Sequence, residues 1–469
     1  MEPNTTLRLD RVGLTNFRCF TGCELELDPC LTVIIAENAQ GKTALLNAIT
    51  IALDVFVAAI GEDKFSQGFD RSDIHLIRDG DKKMMPAPAA SFVAEGLVNG
   101  EAVKWERNLS SASAKARSST KDTKAVRIAA ERLAARLSQG QTQGNVPVTL
   151  PSVAFYGTGR LWNEHRLTAS RKWKSAAQPG RINAYLDCLS PSSSFKAFST
   201  WYEDTANSLR SSTSKALGKE ERPEQLLAAV RKSVATVLEP TGWTLIDWEF
   251  PRVDENGATQ GRGHLVVEHA NRGRLPLSSL SDGVRNMVAL VGDLAHRCAR
   301  LNPHLGEGAA LLTPGILLID EVDMHLHPSW QQLVVDLLER AFPLMQKVYT
   351  THSPQVLTTV KEKCIRKISQ SSDGVWHTRG SFQETKGVES TAALSAVMGV
   401  NPVPPIEEAQ WLKDYTVLIE NGTHETAHGQ QIRAKLNSHY GEHHSVILDC
   451  DRLIRFQAFK SRKSPDPRP

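Results

Sequence analysis

The run Ile316-Leu317-Leu318-Ile319 is entered from Pro314-Gly315 and followed at once by Asp320-Glu321; no other stretch constrains the fold as much. Four apolar residues without alternation read as a strand buried on both faces, and such strands belong to parallel sheets covered by helices. In that architecture polar chemistry gathers where the strands end. Two adjacent carboxylates at a strand end point to different places. One suits holding Mg²⁺ through water; the other suits polarising an attacking water. A helix is expected from Ser329 to Arg340, then a strand, Lys347-Val348-Tyr349-Thr350-Thr351, ending at His352-Ser353-Pro354. Taken alone, the stretch is equally an ordinary pair of core strands with polar ends, and the upstream residues decide between the two readings.

Residues 7–35 alternate with period two and predict three strands, the last being Leu31-Thr32-Val33-Ile34-Ile35 after the Asp28-Pro29 turn. This third strand is almost wholly apolar and is expected to be central. It runs into Ala36-Glu37-Asn38-Ala39-Gln40-Gly41-Lys42-Thr43, and a helix begins at Ala44-Leu45-Leu46. A Gly-Lys-Thr by itself is common. Between an apolar strand and a helix it reads as a phosphate loop, whose amides and helix N-terminus cradle an anion. Lys42 then neutralises the β/γ-phosphates and the Thr43 hydroxyl ligates Mg²⁺. Ala36 stands where the pattern opens with glycine, a departure of one methyl group.

Further along, Asn99-Gly100 predicts a hairpin within residues 91–107. Gln67 and Asp73 lie where many ATPases with such a phosphate loop carry a γ-phosphate-sensing loop, although a solvated loop fits these residues better. Residues 110–143 shift to Ser, Ala, Lys and Arg, with a helix expected over Ala125–Leu137. Without interleaved aromatics this basic segment reads as a solvated face rather than a nucleic-acid platform. Helices are expected at Ile182–Leu189, Phe195–Ser208 and Glu224–Leu238, and a strand pair at Trp243–Trp248 and Leu265–Glu268. Leu280-Ser281-Asp282-Gly283 then opens a long apolar helix, a capped start with a second anion-binding character. The net charge of +3 is too mild to argue for nucleic acid. No apolar run reads as a membrane span and the N-terminus lacks a signal pattern, so a cytoplasmic protein is expected. Seven cysteines without a CxxC pair read as reduced thiols.

The order Gly-Lys-Thr loop, Leu-Ser-Asp-Gly, apolar-Asp-Glu strand and His352 resembles the ABC-type ATPase heads of the SMC, Rad50 and RecF class, over roughly residues 7–360. The resemblance implies an α/β fold: an ABC-ATPase head of mixed and parallel sheet with flanking helices, a helical insertion and a helical C-terminal tail. The corresponding divisions are 1–105, 106–240, 241–400 and 401–469. It also implies a head-to-tail dimer with two ATP molecules at the interface. Asn38, Gly41, Lys42 and Thr43 would then bind nucleotide, with Thr43 and, partly through water, Asp320 holding Mg²⁺. Glu321 would be the general base and His352 would contact the γ-phosphate. Ser281 and Gly283 would reach the nucleotide of the partner copy, and His325 and His327 would serve the dimer joint rather than a metal.

More narrowly, Tyr156-Gly157-Thr158-Gly159-Arg160-Leu161-Trp162, Tyr185–Leu189 and the tail resemble PtuA, the ATPase family of Septu-type and retron-associated anti-phage systems. That family works with an HNH nuclease, PtuB; a retron context adds a reverse transcriptase and its msDNA as partners and leaves nucleic acid open. In the tail, Val417-Leu418-Ile419-Glu420 with Asp449 and Asp451 also resembles the acidic triad of a Toprim nuclease, as in OLD-family enzymes. The helical spacing of Trp411, Leu412, Tyr415, Leu418, Ile419, Val446, Ile447, Cys450, Leu453 and Ile454 favours docking on a partner or on the head instead. Three functions follow: an ATPase gating a separate nuclease, a RecF-like DNA clamp, and a scaffold in which ATP is held rather than turned over.

Overall fold

The computed structural model describes residues 6–61, 71–78, 84–110, 123–143, 147–159, 180–191, 195–210, 222–253, 259–260, 263–380 and 383–463. It divides into two compact units, Met1–Met398 and Gly399–Pro469. The first unit is built on two main sheets. One is antiparallel, with strand order Phe20–Glu26, Leu7–Phe17, Ala89–Val98, Glu101–Ser110. The other has six strands in the order Trp376–Gly380, Ile365–Gln370, Leu31–Ile35, Met345–Thr350, Gly315–Ile319, Ser152–Tyr156. All neighbours in it pair in parallel except Trp376–Gly380, which closes one edge antiparallel.

The apolar runs are explained by this second sheet. Its inner strands have helices on both faces, so successive residues are buried on opposite sides. Ile34, Ile316, Leu318 and Val348 belong to the core shared with the antiparallel sheet and the Lys42–Ile60 helix. Val33, Ile35, Leu317, Ile319 and Tyr349 belong to the opposite core, with the Asp282–Leu301 and Pro223–Leu238 helices. The Asn99-Gly100 hairpin forms with both residues at positive φ (52° and 80°), as a tight two-residue turn requires. Trp243–Glu249 and His264–His269 pair antiparallel.

Three expectations change. The Lys42–Ile60 helix is long and apolar enough to cross a membrane, which the sequence reading overlooked. Here it is a core helix: all of its residues but Thr43 and Asn47 are buried. The helix expected at Ile182–Leu189 is a short 3₁₀ turn, Arg181–Tyr185, followed by turns. Its backbone is used elsewhere: Cys188 O accepts from Phe155 N–H (2.8 Å) and Pro191 O from Gly157 N–H (2.9 Å), covering the open edge of the Ser152–Tyr156 strand. The helix expected from Ser329 to Arg340 is two helices, Pro328–Gln331 and Val334–Ala341. The insertion helix Lys124–Gln143 keeps the expected solvated basic face: it buries Val126, Ala129, Ala130 and Leu133, while exposed Arg132 pairs with Glu101 at 2.8 Å and exposed Arg136 donates to Asn99 at 3.4 Å. Two of its basic side chains are thus engaged within the chain.

The second unit is three helices, Glu407–Glu420, Ala427–Tyr440 and Ser445–Lys463, packed on Tyr415, Ile419, Ile432, Leu436, Ile447 and Cys450. The Toprim-like alternative is corrected here. Its carboxylates need strand ends, whereas Glu420 closes one helix and Asp449 and Asp451 lie within another. Asp449 pairs with Arg452 and Asp451 with Arg433, each at 2.7 Å. Among the described residues no cluster of three His, Cys, Asp or Glu side chains is placed to hold a metal.

One buried side chain clips the two sheets of the first unit together. The register of Leu7–Phe17 on Ala89–Val98 shifts between Leu9 and Arg11. Gln346, fully buried, supplies bonds there: Leu9 N–H donates to its Oε1 (2.9 Å), and its Nε2 donates to Leu9 O (2.6 Å) and Asp28 O (3.0 Å). Gln346→Leu keeps the volume and strands these backbone groups, so chemical denaturation should show a loss of about 2–5 kcal/mol. A loss under about 0.5 kcal/mol, the level of an ordinary surface substitution, would show that the clip does not hold the sheets.

Candidate nucleotide site

The parallel strands Leu31–Ile35, Gly315–Ile319 and Met345–Thr350 end on one sheet edge, so the residues that follow each of them come together there. After Ile35 the chain turns through Ala36–Thr43. Ala39 (φ 62°) and Gly41 (φ 80°) adopt the left-handed region, which turns successive backbone N–H groups toward one side as an anion nest. Only glycine fits at 41: a Cβ there would stand 2.5 Å from the Phe20 ring and 2.6 Å from Cys19 Sγ. Ala36 is not among the residues at positive φ, so its methyl group meets no backbone penalty, which resolves the departure from the usual glycine. Gly41 caps the Lys42–Ile60 helix without any side-chain cap, and the first turn carries no acidic residue. The amides of that turn are left for an anion.

Lys42 is 7% exposed and donates to Ala36 O (3.0 Å) and Glu37 O (3.2 Å). Burial lowers its pKa, against the opposing pull of Asp320, then Glu321 and Asp323. A buried ammonium facing three carboxylates and held only by carbonyls of its own loop suits a polyanion. Asn38 and Thr43 are exposed at the loop surface.

Asp320 is 1% exposed. Its Oδ2 accepts from the Thr43 hydroxyl and its Oδ1 from the Thr350 hydroxyl, both at 2.6 Å. Its amide donates to Tyr156 O (2.8 Å), and the Tyr156 hydroxyl donates to Asp293 (2.8 Å) on the Asp282–Leu301 helix. A hydroxyl and a carboxylate in contact are a hard-oxygen pair of the kind Mg²⁺ selects. These residues therefore fit the Mg²⁺ implied by the resemblance. Glu321 follows at φ 49°, a conformation that costs a non-glycine residue about 1–3 kcal/mol. It is kept there by Glu321 N–H donating to Thr350 Oγ1 (2.7 Å), Val322 N–H to Thr350 O (3.0 Å) and Met324 N–H to Glu321 O (3.0 Å).

Around this centre the loops are tied to one another. The Thr351 hydroxyl donates to Asp323 (2.5 Å), and Ser353 N–H donates to Thr351 Oγ1 (3.0 Å). Gln331 Nε2 donates to Leu326 O (2.9 Å), while its Oε1 lies 2.7 Å from the Ser353 hydroxyl. His352, half-buried, sits between these anchors, and Ser353 caps the Pro354–Leu357 helix. His327 caps the Pro328–Gln331 helix through Ser329 N–H (3.3 Å), and His325 is exposed at φ 63°.

Ser281 is the exposed N-cap residue of the Asp282–Leu301 helix. Gly283, two residues on, is buried, and a Cβ there would lie 2.5 Å from His325 O. Its missing side chain serves contact within the chain, and buried Asn286 adds Nδ2 to Met324 O at 3.4 Å. Asp73 pairs with Arg18 at 2.9 Å; Gln67 lies outside the described residues. Thr350, Thr351 and Gln331 were missed from sequence. A hydroxyl or amide at a buried strand or helix position was the signal, visible only once the burial was known.

The AAA domain family matches residues 11–232. The chain is 24% identical to the "Retron Vc95 probable ATPase" of Vibrio cholerae over 93% of its own length and 88% of that protein. It is 32% identical to the "Retron Ec83 probable ATPase" of Escherichia coli over 39% of its length, but this covers only 33% of the relative. A "Septu protein PtuA" of Bacillus mycoides is 38% identical over 17% of this chain and 10% of that protein. With a Gly-Lys-Thr loop, an Asp-Glu strand and His352 gathered on one sheet edge, the chain is thus similar to proteins named as probable ATPases of retron systems and to Septu PtuA proteins.

Proposed function

We propose that the protein binds ATP with Mg²⁺, hydrolyses it slowly, and serves as the ATPase of a cytoplasmic anti-phage defence system. Two copies close head to tail over two ATP molecules, and this closure controls an associated HNH nuclease of the PtuB kind. In a retron setting the partners extend to a reverse transcriptase and its msDNA. The observation that carries the reading is Asp320 held between the hydroxyls of Thr43 and Thr350, beside a buried Lys42 bonded only to loop carbonyls.

In this reading the nest at Ala39–Gly41 and the uncapped first helical turn hold the phosphates, with Asn38 at the loop rim. Lys42 leaves its two carbonyls for the phosphate oxygens, a stronger charge-assisted contact. Mg²⁺, when bound, neutralises charge on the phosphates; Thr43 and Asp320 are the residues that would hold it. Glu321, aimed by its left-handed turn, accepts the proton of the attacking water. His352 donates to the γ-phosphate, and positioned charge of this kind supplies most of the catalysis in phosphoryl transfer. Ser281, exposed at a helix N-terminus, completes the pocket of the opposing copy, while Gly283 lets that helix seat on the His325 loop.

Calorimetric titration should find ATP binding in the native chain and none with Lys42→Ala; retained affinity in that variant would remove the phosphate-loop assignment. Glu321→Gln should lower turnover by about 10²–10⁴-fold, the range for loss of a general base. It should also accumulate an ATP-dependent dimer by light scattering, and a variant that stays monomeric with ATP bound would argue against head-to-tail closure. Co-expression with a neighbouring HNH gene product, followed by native mass measurement, tests the nuclease partnership; separate elution of the two proteins would count against it.

A further inference from the structure

We infer that Thr350 is a positioning residue that sets both acidic groups of the site through a single hydroxyl. The inference rests on the reading of Asp320 and Glu321 given above. Thr350 is fully buried at the end of the Met345–Thr350 strand, between the strand that leads to Lys42 and the strand that leads to Asp320. A threonine hydroxyl has one proton to give and lone pairs to receive. Here the proton goes to Asp320 Oδ1 at 2.6 Å and a lone pair takes the Glu321 N–H at 2.7 Å.

The two bonds fix different things. The first engages Oδ1 and so orients the carboxylate, leaving Oδ2 toward Thr43, the other expected Mg²⁺ partner. The second holds Glu321 in its left-handed turn at φ 49°; a conformation that side chains disfavour persists only where neighbours determine it. The Thr350 carbonyl adds to this by accepting from Val322 N–H at 3.0 Å. One side chain on a neighbouring strand therefore aligns the metal-side carboxylate with the proposed base. This is the arrangement by which an outer residue tunes an ion site without touching the ion. Packing alone does not call for a hydroxyl here, since valine fills the same space in a buried strand.

The test is Thr350→Val, with Thr350→Ala as a smaller deletion of the same hydroxyl and Thr350→Ser as the conservative variant. Two measurements are made: binding of a fluorescent ATP analogue titrated with Mg²⁺, and steady-state hydrolysis. With Val or Ala, the Mg²⁺ concentration for half-maximal binding should rise and kcat should fall, each by about 10–100-fold, the range for loss of an outer partner. KM for ATP should move little, and binding in the absence of Mg²⁺ should match the native chain. Ser should recover both quantities. Native-like Mg²⁺ dependence and kcat in folded Val or Ala variants would overturn the inference while leaving the ATPase reading intact. Ser being as impaired as Val would also overturn it, because the methyl group would then be what matters. A native chain that binds no nucleotide would overturn the ATPase reading and this inference with it.

Discussion

The hydrogen bond between Thr43 and Asp320 joins residues 277 positions apart and defines the site. Each follows a different sheet strand, Leu31–Ile35 or Gly315–Ile319, and the strand between these two contributes Thr350 to the same carboxylate. The contact exists because three strands run parallel and end at the same level. Parallel packing in turn requires helices on both faces, so the burial of Ile34, Ile316 and Val348 on one side and Val33, Leu317 and Tyr349 on the other is what brings the polar tips together. A site of this kind depends on the whole core, and damage to either layer is felt at Asp320.

A second constraint is the seat of the Asp282–Leu301 helix. Its start meets His325 O through Gly283 and Met324 O through Asn286. Further along, Asp293 holds the hydroxyl of Tyr156, whose carbonyl takes the Asp320 amide. Arg297, largely covered, pairs with Asp293 at 2.9 Å and donates to Ala184 O and Leu186 O. The helix that begins at exposed Ser281 is thus tied to the Asp-Glu turn at both its beginning and its middle. Buried, fully partnered polar contacts of this sort specify one arrangement more than they add stability.

Much of this was readable in the residues. The apolar runs, the strand, loop and helix around Gly-Lys-Thr and the Asn99-Gly100 turn follow from local spacing and took the form expected, whereas the stripes of the tail, helical as expected, pack largely against one another instead of lying free to dock elsewhere. The failures share a cause. The segment at Ile182–Leu189 has helical composition, but the edge of the Ser152–Tyr156 strand claims its carbonyls. The apolar Lys42–Ile60 helix passes for a membrane span by length and composition because a fully surrounded core helix has no polar face to show. That Gly283 also seats its helix against the backbone of His325 could not be read from Leu-Ser-Asp-Gly alone.

The order of residues alone determined which strands are central, where the Gly-Lys-Thr turn falls and which carboxylates stand at strand ends, because burial period and turn chemistry are local properties. Only the tertiary structure decided that Thr350 serves both Asp320 and Glu321, that Gln346 clips the sheets, and that Glu420, Asp449 and Asp451 sit on helices with basic partners for the two aspartates. Those facts depend on hydrogen-bond partners supplied by neighbouring elements, and no spacing along the chain encodes which element will lie beside another.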